Sequence, residues 1–480
     1  MKQEEPLIGR HNELGQLDEI MADPAPALVA IYGRRRVGKT FLVRRATAKS
    51  LRFELTGVKD ANLREQLENF SSALAAASAG KITGAPRSWH QAFDLLAEWF
   101  GTLPRRKKHV LFMDELPWLA SPRSRFLQAL DHFWNSWASR QPNLVLIVCG
   151  SAASWMIRKL LHDRGGLHNR VTHRIRLDPF TLAETREFLS ERRISLGDLQ
   201  IAELYMAMGG IPHYLKQVRR GESTAQAIDR ICFSADGLLR NEFDLLYPAL
   251  FDSPERHLEV VRALAKKSLT HAEIATASGL SDGGRLSTVI RELEESGFLR
   301  ATLPFGKKKK DTRYRLSDEY SRFYLRWIES WRGDAGGWLK MRGRPAWRAW
   351  SGLAFEELCM KHLGQIKAAL GIAGVSTESS SWTFRPKQAS ETGTQIDLLI
   401  DRADGCINLC EMKFSEGPFV IDKPYAATLR QRRDTFRRET GSRKSLFLTF
   451  VTTADVKRNG YGLELVDASV TLDALFHPTG

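Results

Sequence analysis

The chain has 480 residues, of which 43% are hydrophobic and 26% are charged, and its formal net charge is +15. This length allows about three domains, and the composition is that of a globular protein. No apolar run reaches the roughly 18–20 residues that span a bilayer, and the first twenty residues are too polar for a secretory signal. We therefore expect a cytoplasmic protein with no membrane partner.

The positive charge favours a polyanionic partner such as nucleic acid. It is concentrated in residues 301–350, which hold 13 Lys or Arg against 5 Asp or Glu. The five cysteines form no CxxC pair, so we expect reduced structural thiols rather than a zinc site.

The first strong motif is Gly33-x-x-x-x-Gly38-Lys39-Thr40, directly after an apolar run from Ala27 to Tyr32. This strand, glycine-rich turn and apolar helix start form the P-loop pattern. The glycines let backbone N–H groups point at phosphate oxygens, Lys39 reaches the β- and γ-phosphates, and Thr40 offers a hydroxyl to Mg²⁺. The sequence therefore predicts a nucleotide site formed by Gly33, Arg34, Arg35, Arg36, Val37, Gly38, Lys39, Thr40 and Phe41.

A second nucleotide motif follows some seventy residues later. Val110–Met113 is an apolar strand that ends in Asp114 and Glu115. A carboxylate at this place holds Mg²⁺, and the next one polarises the attacking water. We expect Asp114 to be the metal partner and Glu115 the general base.

Two more residues are candidates for sensing the γ-phosphate. The strand Leu144–Cys149 ends in Gly150-Ser151, and a polar residue at the tip of a strand between the two motif strands is suited to that role. An ordinary turn serine is the alternative. Arg170, just before an alternating strand, is a candidate cationic finger or sensor.

Six segments in this order resemble the archaeal-type ATPases, which are P-loop proteins related to the STAND and AAA+ classes: GR..EL, YGRRRVGKT, LFMDELPWL, CGSAASWM, LDPFT and GGIPHYL. The resemblance covers roughly residues 5–245. It implies a parallel-sheet core, a helical lid and ATP as the nucleotide. No guanine-reading Asn/Thr-Lys-x-Asp motif is visible, which agrees with ATP. Gly9 and Arg10 in the first segment would pack against the adenine, or else only begin a surface helix.

The stretch from Arg256 to Leu316 predicts three short helices and a hairpin. The first helix is expected at His257–Lys267, and Thr270 with Glu273 forms a capping box at the start of the second. The third, Gly284–Ser296, has one apolar face. This order is that of a winged helix-turn-helix, whose third helix enters the DNA major groove. The residues expected to contact DNA are Arg285, Arg291, Lys307, Lys308, Lys309 and Lys310; a protein-docking unit with a solvated lysine turn is the alternative.

The next stretch, 321–350, interleaves five tryptophans with arginines. Such a pattern can stack nucleic-acid bases, but core packing is the interpretation we favour. A helix near Trp350 follows, and we expect it to turn Leu353 and Phe355 inward.

The end of the chain predicts a β-hairpin with Gln395–Ile400 and Ile407–Lys413 as its strands. Alternation places Glu411 and Lys413 on one face. Together with Asp397 they form Asp-x13-Glu-x-Lys.

This spacing resembles the PD-(D/E)xK nuclease core. The resemblance implies that Asp397 and Glu411 bind Mg²⁺, that Lys413 activates the attacking water, and that Glu356 on the preceding helix completes the metal shell. Glu357 competes with Glu356 for that role, and a hairpin with ordinary surface charges is the alternative.

The expected fold class is α/β. We expect a P-loop NTPase core with a parallel sheet over residues 1–180, a helical lid over 181–250, a winged helix-turn-helix over 251–320, a basic and aromatic connector over 321–350 and an α/β restriction-endonuclease-like domain over 351–480.

Two functions follow as hypotheses. The first is an ATP-hydrolysing switch that binds DNA and positions a Mg²⁺-dependent nuclease-like domain. The second is a regulatory or signalling ATPase whose later domains bind partners without cleaving nucleic acid. The sequence leaves the oligomeric state open, a homo-oligomer included.

Overall fold

The computed structural model describes residues 6–161, 166–251, 253–333, 336–386 and 393–478. The chain divides into two compact units. Residues 1–179 with 248–252 belong to the first, and residues 180–247 with 253–480 to the second. Both units combine helices with a five-stranded sheet, so the fold class is α/β.

The first unit is built on a parallel sheet with the strand order β2-β3-β4-β1-β5. Its central strands are continuous apolar runs and are almost completely buried, as expected of a parallel sheet covered on both faces. The strand positions predicted from the apolar runs are confirmed. The bounds are β1 Ala27–Gly33, β2 Leu51–Thr56, β3 His109–Asp114, β4 Leu144–Gly150 and β5 His173–Leu177.

Helices cover this sheet, and aromatic side chains from two of them fill one core. Trp89 and Phe126 meet edge to face at 4.7 Å between ring centroids, and Phe93 lies beside both. The helices are α1 His11–Ala22, α2 Lys39–Ala46, α3 Leu63–Ala77, α4 Trp89–Phe100, α5 Leu116–Leu119, α6 Phe126–Ser136 and α7 Ala153–Met156, with single turns at Ala138–Arg140, Ile157–Leu161 and Gly166–Asn169.

The second unit opens with a group of short helices, in the stretch 181–250 where the sequence predicts a helical lid. Thr181 and Glu184 close a capping box at the start of the first one. The helices are α8 Leu182–Glu191, α9 Asp198–Met208, α10 Pro212–Leu215, α11 Thr224–Ile228 and α12 Glu242–Leu246, with a π-turn at Asp229–Phe233.

Three helices and a small antiparallel sheet of order β6-β8-β7 follow. The capping box of Thr270 and Glu273 is present. The first helix ends at Ala263, before the expected Lys267, because Leu269 must be extended to pair with Tyr314. The bounds are α13 Pro254–Ala263, β6 Leu269–Thr270, α14 His271–Ser278, α15 Gly284–Glu295, β7 Leu299–Thr302 and β8 Arg313–Leu316, with a 3₁₀ turn at Lys309–Asp311.

The aromatic connector is packed inside the second unit. Trp338 stacks on Phe233 at 5.3 Å and meets Trp327 edge to face at 5.4 Å. Four of the five tryptophans are buried, which confirms core packing over base stacking. The elements are α16 Glu319–Phe323, a π-turn at Tyr324–Ile328 and α17 Gly337–Met341.

The last part is a mixed sheet of order β13-β12-β11-β10-β9, with antiparallel pairs from β9 to β11 and parallel pairs from β11 to β13. The elements are α18 Pro345–Lys361, α19 Leu363–Ala369, β9 Thr377–Phe384, β10 Thr394–Arg402, β11 Cys406–Lys413, α20 Lys423–Thr440, β12 Ser445–Thr452, α21 Gly460–Leu465, β13 Ala468–Thr471 and a 3₁₀ turn at Leu472–Phe476.

The helix expected near Trp350 begins earlier, at Pro345, because proline suits the first helical turn. Phe355 is buried as predicted, but Leu353 is 52% exposed, so its predicted inward position is wrong. Residues two apart on a helix point to nearly opposite sides. Among the described helices, none is long and apolar enough to cross a membrane.

Candidate functional site

Backbone conformation and close packing require glycine at two positions of the P-loop. Gly33 has φ +154°, and a Cβ there would lie 2.1 Å from the carbonyl oxygen of Leu177. Gly38 has φ +96° and directly precedes α2. Both φ values disfavour any residue with a side chain. The turn that aims the loop at the start of α2 therefore depends on these two positions.

Lys39 lies inside that loop. Its side chain is 5% exposed, and Nζ donates to the carbonyl oxygens of Gly33 at 3.0 Å and Arg34 at 2.8 Å and to Ser151 Oγ at 3.1 Å. Burial lowers the pKa of Lys39 from its ordinary value. The ammonium group is thus fixed at the loop by neutral oxygens, ready to exchange them for phosphate oxygens.

Asp114 of the second motif lies beside Thr40, which follows the P-loop at the start of α2. Thr40 Oγ1 donates to Asp114 Oδ2 at 2.6 Å, so the two proposed metal-binding side chains are adjacent. Asp114 Oδ1 accepts the backbone N–H of Glu115 at 3.0 Å. Glu115 itself has φ +48°, a strained backbone that native proteins retain mostly at functional sites. The structure brings these predicted residues together at the carboxyl ends of the strands.

Ser151 joins the two motifs. It directly follows β4, and β4 lies between β3 and β1, as predicted. The backbone N–H and the hydroxyl of Ser151 donate to the two carboxylate oxygens of Glu115 at 3.1 and 2.5 Å. Lys39, Ser151 and Glu115 therefore form one hydrogen-bonded chain, which favours a site role over a plain turn serine.

Arg10 ties the start of the chain to the loop. Gly9 and Arg10 both have positive φ, at 65° and 61°. The guanidinium of Arg10 is buried and donates to the carbonyl oxygens of Asp178 at 2.7 Å and Val37 at 3.0 Å. In this arrangement Arg10 holds the loop against the end of β5.

The remaining loop residues differ in exposure. Arg34 and Val37 are buried, whereas Arg35 and Arg36 are half-buried. Phe41, on the first turn of α2, lies under the guanidinium of Arg45 at 5.4 Å from its ring centroid.

Arg170 is placed away from this site. In the parallel pairing of β1 with β5, Val29 lies opposite His173 and Gly33 opposite Leu177. Arg170 precedes His173, so it lies at the amino-terminal edge of the sheet, whereas the loop lies at the other edge. Arg170 is therefore too far from the P-loop to act as a finger or sensor for the γ-phosphate bound by the same chain.

The C-terminal hairpin brings Asp397 and Glu411 together. Leu398 pairs with Cys410, so the next step of the register sets Asp397 opposite Glu411. The pairing of β10 with β9 shifts between Ile396 and Leu399, a β-bulge or irregularity that includes Asp397 and Leu398. Bulges of this kind re-aim side chains and are frequent beside active sites.

The two neighbouring acids of α18 have different surroundings. Glu356 is 16% exposed; burial, and then the nearby Asp397 carboxylate, raise the pKa of Glu356 to about 8. Glu357 is 1% exposed and accepts from Arg315 at 2.9 Å. Burial alone would raise the pKa of Glu357, but surrounding arginines hold it below its usual value. Glu356 is thus the helix acid coupled to Asp397.

Glu411 has more partners than the sequence suggested. Its Oε1 accepts from Tyr425 Oη at 2.6 Å and lies 2.7 Å from Lys413 Nζ, and its Oε2 is paired with Arg432 Nη1. Burial opposes ionisation, but Lys413 and Arg432 bring the pKa of Glu411 below its ordinary value. Sequence reasoning missed Tyr425 and Arg432. Their spacing of seven residues, which puts both on one face of a helix, was the available signal.

These acids do not form a ready metal site. Over the described ranges, no group of three or more His, Cys, Asp or Glu side chains is arranged to hold a metal ion. The expected Mg²⁺ shell of Asp397, Glu411 and Glu356 does not fit the present arrangement, because Lys413 and Arg432 already neutralise Glu411.

Basic side chains are exposed at two places in the three-helix segment of the second unit. Leu286, Val289, Ile290 and Leu293 of α15 are buried, as predicted. Arg285 and Arg291 on the other face are exposed. The turn before β8 exposes Lys307, Lys308, Lys309 and Lys310.

Residues 7–218 match the family described as an ATPase domain predominantly from Archaea. The uncharacterized protein MJECL04 of Methanocaldococcus jannaschii is 25% identical over 324 residues, which are 67% of this chain and 69% of that protein.

Among solved structures, the Walker-type ATPase PABY2304 of Pyrococcus abyssi is similar over 67% of this chain and 96% of its own, with 20% identity and a TM-score of 0.50. The Aeropyrum pernix ORC2 protein, solved as ADPNP–ADP complexes, aligns over 66% of this chain and 92% of its own, with 15% identity and a TM-score of 0.37. The family match and the loop geometry agree. Residues 7–218 match that ATPase domain, and the protein is a P-loop ATPase.

Proposed function

We propose that this ATPase is a switch that binds DNA through residues 254–316 and positions a C-terminal nuclease-like domain on it. The observation that carries the proposal is the exposure of the basic side chains of α15 and of the lysine turn. These residues belong to the same compact unit as the hairpin of Asp397 and Glu411.

ATP with Mg²⁺ is the nucleotide we assign to the P-loop. Lys39 would contact the terminal phosphates, and Thr40 and Asp114 would hold the metal, since their side chains already meet at 2.6 Å. The cation would neutralise phosphate charge when bound. Glu115 would orient the attacking water, and Ser151 would keep that carboxylate in place.

DNA is the partner we assign to the three-helix segment, which we interpret as a winged helix-turn-helix. α15 buries its apolar face and exposes two arginines, as a helix that enters the major groove requires. The four exposed lysines on the adjacent turn suit the phosphate backbone. A DNA partner and five cysteines without a disulfide suit a cytoplasmic location.

The C-terminal domain we interpret as PD-(D/E)xK-like, because Asp397, Glu411 and Lys413 lie on adjacent strands with Glu356 beside them. A second function has its own support. Glu411 is paired with two cations and a phenol, an arrangement that favours partner binding without cleavage, as in a regulatory ATPase.

The experiment is a DNA-binding titration of the full chain at several salt concentrations. Replacement of Lys307, Lys308, Lys309 and Lys310 by Gln should flatten the slope of log K against log salt by up to about 3.6, because each phosphate contact contributes about 0.9. The control neutralises three exposed basic residues of the first unit, Arg105, Arg106 and Lys107.

Equal slopes for the wild type and the lysine variant would refute DNA binding by this turn. Plasmid cleavage with Mg²⁺ and ATP separates the two functions. Loss of cutting in Lys413→Ala supports the nuclease, whereas equal background cutting in both proteins supports the regulatory ATPase.

A further inference from the structure

We propose that the exposed side of α20 is a second DNA-contacting element, which binds backbone phosphates beside those held by the lysine turn. This inference rests on the proposed DNA binding by residues 254–316. It extends that binding to the C-terminal part of the chain, through arginine side chains and without a metal ion.

The helix α20 carries a large excess of positive charge. Its 18 residues, Lys423–Thr440, include six Lys or Arg and only two Asp or Glu. Ala426, Leu429 and Phe436 are buried and hold the helix on the sheet. This packing does not require the charges on the opposite side, which are therefore available to a partner.

Three of these arginines have no strong partner within the chain. Arg437 is exposed and, among the described residues, has no acidic side chain in ion-pair range. Arg438, 59% exposed, pairs with its neighbour Glu439, and Nε of Arg433 lies 3.9 Å from a carboxylate oxygen of Asp434. Exposed pairs of this kind contribute little to stability, so a phosphate can replace them. We call Arg433, Arg437 and Arg438 the arginine face.

The spacing of these arginines is unfavourable for the helix by itself. Arg433 and Arg437 are four residues apart, on one side of α20, and like charges at this spacing destabilise a helix. By contrast, Arg430 and Arg432 are neutralised by acidic side chains, Glu464 and Glu411. A bound phosphate would offset the repulsion between Arg433 and Arg437, which favours an anionic ligand at this place.

The loop that bears the lysine turn is attached to this part of α20. Phe305, two residues before Lys307, donates its backbone N–H to the carbonyl oxygen of Ser381 at 2.8 Å. Its ring packs against Phe436 with 5.5 Å between ring centroids, and Phe436 directly precedes Arg437. The lysine turn and the arginine face therefore belong to segments that touch each other within one compact unit. We expect one duplex to contact both.

Duplex DNA is the ligand that this arrangement favours. It presents one negative charge per about 1.7 Å of its axis, and the planar guanidinium of arginine matches the geometry of phosphate. Contacts to phosphates fix the position of a protein on the duplex without reading its sequence. Tyr425 and Arg432 of the same helix contact Glu411. DNA on the exposed side of α20 would therefore be held by the helix that lines the candidate C-terminal site.

Fluorescence anisotropy of a labelled duplex with the full chain, measured at several salt concentrations, tests this inference. Replacement of Arg433, Arg437 and Arg438 by Gln should weaken binding. It should also flatten the slope of log K against log salt by up to about 2.7, because each phosphate contact contributes about 0.9. Replacement of the same three residues by Lys keeps the charges and should leave the slope close to the wild-type value.

The matched control replaces Lys216, Arg219 and Arg220 by Gln. These are three exposed basic residues elsewhere in the second unit, and their loss should leave the slope unchanged. Circular dichroism checks that each variant is folded, since cations in the last turn stabilise a helix. If the triple variant does not fold, Arg437→Gln alone should flatten the slope by about 0.9.

A wild-type slope for the glutamine variants of α20 would overturn this inference. If the lysine-turn variant still flattens the slope in that case, the proposed DNA binding stands, whereas two unchanged slopes refute both. Poly-L-glutamate is titrated in parallel as an acidic polypeptide. If the triple glutamine variant loses only the binding of this polypeptide and keeps its DNA affinity, the arginine face contacts an acidic protein and the inference is wrong.

Discussion

Lys39 and Ser151 are joined by a hydrogen bond of 3.1 Å between the ammonium nitrogen and the hydroxyl oxygen. The same hydroxyl donates to Glu115 at 2.5 Å. Lys39, the proposed phosphate ligand, and Glu115, the proposed general base, are therefore two hydrogen bonds apart. The role of each hydrogen bond can be tested by replacing one of the residues that form it.

Lys39→Ala should lower kcat for ATP hydrolysis by about 10²–10³-fold. In our assignment the buried ammonium is the charge that the loop offers to the phosphates, and the loss of one preorganised group of this kind has an effect of that size. A phosphate-release assay on the full chain measures this. Lys49→Ala removes an exposed lysine just after the same helix and should hydrolyse ATP at the wild-type rate. Unchanged hydrolysis in Lys39→Ala would remove the P-loop from the mechanism.

Ser151→Ala should slow hydrolysis while leaving ATP affinity nearly unchanged. Its hydroxyl bonds two charged groups, and a hydrogen bond to a charged group contributes roughly 1.5–3 kcal/mol. If that contribution is made in the transition state, kcat falls between about tenfold and a hundredfold. Steady-state kinetics with an ATP-binding titration separates the two effects. Ser151→Thr keeps a hydroxyl and should restore most of the rate; an equal defect in both variants would contradict the role.

The parallel-sheet core was predictable because its signal is local. A strand that is buried on both faces must be apolar along nearly its whole length. Strands β1, β3 and β4 are nearly continuous apolar runs of this kind. The site residues that follow such strands, such as Asp114 and Ser151, are brought to one edge by the parallel order. No tertiary information was needed to place them.

The positions of other residues depend on tertiary contacts that the sequence does not reveal. Arg170 was misplaced because the strand after it runs parallel to β1 and carries it to the far edge. Tyr425 and Arg432 were missed because a helical period shows which residues share a face, not which strand that face covers. The choice between Glu356 and Glu357 required the arginines that surround one of them.

Those two glutamates provide a matched pair for stability. Glu357→Gln should lower the free energy of unfolding by about 1.5–3 kcal/mol, because it weakens the charge-assisted hydrogen bond that the half-buried Arg315 donates to Glu357 at 2.9 Å. Glu356→Gln should leave stability nearly unchanged, since burial already disfavours the charge of Glu356. Chemical denaturation of the full chain, followed by tryptophan fluorescence, compares them. Equal losses in both variants would show that Glu357 has no special structural role.

His362 should make the second unit less stable as the pH falls. Its Nε2 accepts the N–H of Leu182 at 3.1 Å, and its Nδ1 is 2.8 Å from the carbonyl oxygen of Leu358. Burial, the main cause, lowers the pKa of His362 to about 4 from 6.5. The folded state therefore stays neutral while the unfolded chain takes up a proton, so no stability is lost above about pH 7 and about 2 kcal/mol is lost by pH 5. His362→Gln keeps an acceptor that does not titrate. Urea midpoints at pH 7.5 and 5 should differ less for this variant than for the wild type, and an identical pH dependence would refute the assignment.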